Sequence, residues 1–181
     1  MTANTGPNAA YLGIDPGVKG GLAVLLQYGD VVSPDLGLNA GPMPATEKDV
    51  WNWLKEACAG CKNVYAVIEQ QYPRPTALFD KKSKTWRSTV LASTCVLYGS
   101  YMGLRSMLVA AGVVWEQCPP MTWQKALGIP KKKPAENNTH WKNRLKEKAS
   151  QLFPEEKMTL AKCDAVLIAE HCRRSREWVP R

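Results

Sequence analysis

No stretch of this 181-residue chain is apolar for long enough to span a membrane. The first ten residues are small and polar, without the hydrophobic centre of a secretory leader. A zinc centre is short of ligands: Cys58 and Cys61 form one C-x-x-C pair, and only distant His171 and Cys172 could complete it. The six cysteines therefore read as reduced thiols in a cytosol-like compartment. No internal repeat is visible. Acids are scarce, with 16 Asp and Glu against 24 Lys and Arg, for a formal charge of +8. That excess favours a polyanionic partner such as nucleic acid; the plainer reading is a basic protein with no special partner. The length suits one domain that buries about two-thirds of its unfolded surface.

The stretch from Tyr11 to Val24, YLGIDPGVKGGLAV, organises what remains. An apolar strand ends in Asp15, Pro16-Gly17 and Gly20-Gly21 make the turn, and a second strand runs from Leu22 to Gln27. A short third strand is expected at Val31-Val32, then an irregular link through Pro34, Gly37, Gly41, Pro42 and Pro44. Thr46 starts a helix that Gly60 ends, with Glu47 and Asp49 in its first turn. Val64 to Ile68 reads as a central strand covered on both faces, with Glu69 at its tip. Gln70 to Arg87 is too rich in proline and lysine for an element. A long helix is expected from Thr89 to Ala111, a strand from Val113 to Cys118 and a short helix from Thr122 to Leu127. Two further helices follow, from Asn138 or Thr139 to Phe153 and from Leu160 to Arg174. This order predicts an α/β fold, a mixed sheet flanked by helices.

Three acids stand out. Asp15 and Glu69 each end an apolar strand. Asp164 shares a helical stripe with Leu160, Ala161, Leu167 and Ile168, so it should face the sheet. A buried carboxylate needs a cation, either a Lys or Arg in a structural ion pair or a metal. If the first and central strands are neighbours, all three acids converge, and hard oxygen ligands suit Mg2+ or Mn2+. Two such ions about 3.5–4 Å apart can activate water and stabilise the leaving oxygen of a phosphodiester. Asp15 could instead be a turn aspartate bonding its own backbone.

LGIDPGVKGG, VIEQQYP and CDAVLIAEHCRR, in this order, resemble the RuvC-type Holliday junction resolvases from residue 11 to 174. The resemblance implies an RNase H-like fold with a five-stranded sheet. It also implies a Mg2+- or Mn2+-dependent endonuclease, two ions per site, that resolves four-way DNA junctions by paired nicks and leaves 5′-phosphate and 3′-hydroxyl ends. Asp15, Glu69 and Asp164 take the places of metal ligands and catalytic acids. The family's fourth ligand, an Asp or His one helical turn before the last Asp, is Ala161 here. Three acids with waters could suffice, Glu155, Glu156, Glu170 or His171 could substitute, or Ala161 could be an engineered change.

The resemblance further places Tyr72 at the opened junction centre and a lysine near the scissile phosphate, for which Lys131, Lys132 and Lys133 are the candidates. Arg74, Lys81, Lys82, Lys84 and Arg87 make the connection after Glu69 a candidate DNA-binding segment. Family resolvases are homodimers, and the small residues of the long helix suit close packing with a second copy. The implied organisation is a flexible arm over 1–10, the nuclease domain over 11–175 and a basic tail over 176–181, in a bacterial or phage-encoded protein acting in the host cytoplasm. Two other readings stand beside it: a branched-DNA-binding protein of this fold with weakened or absent cleavage, and an actin-like ATPase. The ATPase reading lacks the length for two lobes and a second glycine-rich loop.

Overall fold

The computed structural model describes residues 6–29, 35–72, 76–80, 83–89 and 92–177. Its elements are β1 (Ala9–Asp15), β2 (Gly21–Tyr28), β3 (Asp35–Pro42), α1 (Glu47–Ala57), β4 (Asn63–Glu69), β5 (Thr76–Asp80), β6 (Thr85–Thr89), α2 (Ala92–Ala110), β7 (Val114–Cys118), α3 (Pro120–Ala126), α4 (Asn138–Leu152) and α5 (Cys163–Glu177). The main sheet has five strands in the order β3-β2-β1-β4-β7. β1–β2 and β2–β3 pair antiparallel, while β1–β4 and β4–β7 pair parallel. The expected mixed five-stranded sheet with flanking helices is present.

Alternation along the strands builds two cores. Ala10, Leu12, Ile14, Leu22, Val24, Ala66 and Ile68 face α1 and α2, with Val50, Leu54, Tyr101, Leu104 and Leu108 packed on them. Tyr11, Ala23, Leu25 and Val67 face the other way, into a core with Trp123, Leu145 and the buried run Ala165 to Ala169. Thr46 caps α1 as expected, its side chain accepting the Asp49 N–H at 3.2 Å.

Several boundaries differ from the expectation. β1 begins at Ala9, and Asn8 donates its backbone N–H to Gln27 O at 2.7 Å, so part of the supposed flexible arm belongs to the sheet. Val31-Val32 lies outside the described residues, and the third strand is β3, inside the segment read as an irregular link. There Leu36, Leu38 and Ala40 alternate, and Pro42 is tolerated at the end of an edge strand. The connection after Glu69 contains an element after all: β5 and β6 form an antiparallel hairpin, Phe79 opposite Trp86, with Lys84 at φ 52° in the turn. β-Branched and aromatic residues in TALFD and TWRST outweigh the neighbouring lysines. Thr89 consequently ends a strand rather than starting a helix, and α2 begins at Ala92. α5 begins at Cys163, leaving Leu160 and Ala161 in the preceding turn.

Candidate active site

Asp15 and Glu69 reach one place because β1 and β4 are parallel neighbours. Ile14 stands opposite Ile68, so the next residue on each strand is a carboxylate. Both follow residues of the α1–α2 face, so pleating turns them to the α5 side. α5 is brought down onto them by Gly13. A Cβ at Gly13 would lie 2.0 Å from the Ala165 carbonyl oxygen and 2.2 Å from the Ala169 nitrogen, so only glycine admits the helix this close. One at Gly21 would lie 2.6 Å from the Ala161 carbonyl oxygen. With its start held against β1 and β2, α5 carries Asp164 in its first turn, 6% exposed.

The electrostatics record the convergence. Burial first, then Glu69 and Asp164, raise the Asp15 carboxyl to about 8, against a smaller opposing effect of Lys142. Burial and then Asp164 raise Glu69 to about 7, although hydrogen bonds from Trp123 and Gln71 and the charge of Lys142 pull the other way. Trp123 Nε1 donates to Glu69 Oε2 at 3.1 Å and Gln71 Nε2 to Oε1 at 3.2 Å. Asp164 is met by Cys163 Sγ, 3.2 Å from Oδ1, and by the Lys142 ammonium from α4 on Oδ2. Burial lowers the Lys142 pKa, but the charge and hydrogen bond of Asp164, with Asp15, raise it more, so the net shift is upward. Among the described residues, nothing donates a hydrogen bond to the Asp15 carboxylate. A cleft of about 450 Å³ opens beside it, lined in part by Gly17, Lys19, Ser93, Val96, Ser100 and Lys142.

Lys142 is what sequence reasoning missed. In the sequence it is one of several basic residues of a solvated-looking helix, and only the docking of α4 on α5 selects it. Lys131, Lys132 and Lys133, preferred on sequence, are exposed in the α3–α4 loop, where Lys132 bonds Asn138. Tyr72 is 58% exposed just beyond β4. Lys84 is exposed in the β5–β6 turn and Arg87 lies on β6, while Arg74, Lys81 and Lys82 fall outside the described residues. Of the substitutes weighed for a fourth ligand, Glu156 is paired with Lys162, and Glu170 with Arg173 at 2.8 Å and Arg174 at 2.6 Å. His171 Nε2 lies 3.6 Å from Cys118 Sγ, and Glu155 is exposed.

The donor chemistry fits a hard divalent cation. Three carboxylates share a low-dielectric pocket, where burial and their mutual repulsion hold Asp15 and Glu69 well above the usual carboxylate range. The pocket is not a closed cage: among the described residues no three His, Cys, Asp or Glu side chains form a ready metal cluster, and Lys142 occupies Asp164.

Two solved structures share this architecture. A T. thermophilus RuvC in complex with a Holliday junction substrate aligns over 90% of this chain and 91% of its own, at 13% identity and a TM-score of 0.53. The fold is that of RuvC. A second Thermus thermophilus RuvC structure covers 93% of this chain and 97% of its own, at 16% identity and a TM-score of 0.51. No protein-family model and no curated protein matches the chain. At these identities the likeness to RuvC is one of fold: the mixed five-stranded sheet, RNase H-like, with its flanking helices.

Proposed function

We propose that this protein is a structure-selective endonuclease that resolves four-way DNA junctions, with Asp15, Glu69 and Asp164 as its catalytic acids. The observation that carries the reading is the meeting of these three carboxylates on one face of a RuvC-fold sheet, in a chain of formal charge +8. Asp15 and Glu69, with Asp164, would hold Mg2+ or Mn2+, two ions at full occupancy. Bound there, divalent metal would supply a water nucleophile at neutral pH and charge neutralisation at the phosphate. Lys142 stands at the cleft beside Asp15, where its ammonium can neutralise a phosphate oxygen, and it replaces Lys131 to Lys133 as the candidate for that task. The loop lysines, with Lys84 and the segment holding Arg74, Lys81, Lys82 and Arg87, would hold duplex arms by their phosphates. Tyr72, exposed beside β4, would stack on an unpaired base at the junction centre.

A homodimer would place two such sites in matched orientation for paired nicks. Met102 and Val109, seven residues apart on α2, are 40% and 64% exposed, an apolar helix face suited to a second copy. The nuclease domain would span residues 11–175, and cytoplasmic action fits free thiols at all six cysteines and the absence, among the described residues, of a helix apolar enough to cross a membrane.

A second reading is junction binding without cutting. The Lys142–Asp164 pair and Ala161 at the fourth-ligand place favour it. Labelled four-way junction and linear duplex, incubated with the protein and Mn2+, separate the two. The nuclease reading expects symmetric nicks in the junction alone; a retarded but uncut junction selects the binding reading.

A further inference from the structure

Glu69 has both carboxylate oxygens engaged by the chain itself. Its place at the tip of β4 is fixed by pairing with Cys118, and Gln70 donates its N–H to Cys118 O at 2.9 Å. Directly after Cys118, Pro119 and Pro120 end β7 and start α3, which turns Trp123 back toward Glu69. Trp123 is 0% exposed, among the largest fully buried side chains of the molecule. An indole N–H in such a place needs an acceptor, because burying it unpaired is costly. It finds one in Glu69 Oε2 at 3.1 Å, while Gln71, two residues along the chain, donates to Oε1 at 3.2 Å. A Phe would occupy most of the same apolar space; tryptophan adds a donor aimed at one member of the acidic triad.

We infer that Trp123, with Gln71, is a positioning clamp for Glu69. It fixes the plane of the carboxylate, and with it how the two oxygens would be offered to a divalent ion shared with Asp15. The inference rests on the metal-site reading above and goes beyond it, since Trp123 would touch neither metal nor DNA. Outer partners of metal ligands commonly change affinity or activity by about 10–100-fold when removed.

Trp123→Phe keeps most of the packing and removes the donor, and Gln71→Met removes the donor to the other oxygen. Mn2+ binding by calorimetry on the DNA-free protein is the primary readout, alongside thermal unfolding and junction affinity in Ca2+. The expected result is a 10–100-fold weaker Mn2+ Kd for Trp123→Phe, a smaller loss for Gln71→Met, and junction affinity unchanged for both. In cleavage assays the Mn2+ concentration for half-maximal rate should rise, with the rate recovering at saturating metal. A Mn2+ Kd within twofold of the parent for a folded Trp123→Phe overturns the clamp, even if its melting temperature falls. Should Trp123→Phe fail to fold, Gln71→Met decides: weaker Mn2+ binding supports the clamp and unchanged binding overturns it. If the parent binds Mn2+ but never cuts, the cleavage reading fails and the clamp is still tested. If the parent binds no Mn2+, both fail.

Discussion

The helices on the two faces of the sheet are held very differently. α5 buries an unbroken run from Cys163 to Glu170, and the glycine beneath it has no room for a methyl group. α2, longer by four residues, buries only Tyr101, Leu104 and Leu108, and a Cβ at its Gly99 or Gly103 would meet nothing within 4 Å. One helix is clamped so that a carboxylate in its first turn lies close enough to two strand tips to interact with both acids there. The other rests on the sheet by a few contacts and keeps apolar side chains in solvent. Burial is concentrated on the face that carries Asp164, and the other face keeps apolar side chains of α2 exposed.

The contrast breaks most severely at Gly13. Gly13→Ala drives a methyl into the backbone of α5, and overpacking that backbone atoms cannot relieve should cost about 3 kcal/mol or more. Urea denaturation checks this, and any folded fraction should have lost cleavage because Asp164 is displaced. Next comes Asp15→Asn, which should abolish cutting yet spare junction binding. Its stability effect depends on pH. The folded carboxyl titrates at about 8 and the unfolded one near 3.8, so between these values the folded chain keeps a proton that the unfolded chain has released. The stability this confers is full below about pH 4 and lost as pH rises through 8. Asp15→Asn should therefore melt higher than the parent at pH 8 to 9, by a few degrees at about 2–4 °C per kcal/mol, and show no such gain below pH 4. Mg2+ should raise the parent's melting temperature more at pH 8 than at pH 5, and chelation should reverse that gain.

Lys142→Ala removes the cation from Asp164 and from the cleft; cleavage should slow about 10²-fold in single-turnover assays. On the α2 side the effects should be smaller and of another kind. Met102→Lys with Val109→Lys should leave monomer stability within about 0.5 kcal/mol, because both residues are exposed, while light scattering shows dimer lost and paired nicks become single nicks. Gly99→Ala or Gly103→Ala, whose new methyl meets open space, should stabilise the isolated fold by up to about 1 kcal/mol through helix propensity. If the α2 face packs closely on a second copy, the same substitutions should weaken the dimer.

The sequence carries the sheet because alternation and apolar runs are local: Ile14 and Ile68 are each followed at once by an acid. Asp164 is legible for the same reason, as a charge set in an apolar stripe. The β5–β6 hairpin is not, since counting prolines and lysines over Gln70 to Arg87 conceals two five-residue strands within the segment. Lys142 and Trp123 are illegible for a different reason. Each acts through a partner 22 or 54 residues away, and nothing in the surrounding sequence separates Lys142 from its basic neighbours or ties Trp123 to Glu69. The sequence places Ala161 one helical turn before Asp164, but α5 begins later, so that position belongs to a turn packed on Gly21.

The most direct measurement is cleavage of a labelled four-way junction in Mn2+ by the parent and by Asp15→Asn, Glu69→Gln and Asp164→Asn, with binding followed on the same gels. Symmetric nicking by the parent, and retarded but intact junction for all three variants, is the predicted result. Nicking by the variants at the parent's rate would contradict the account.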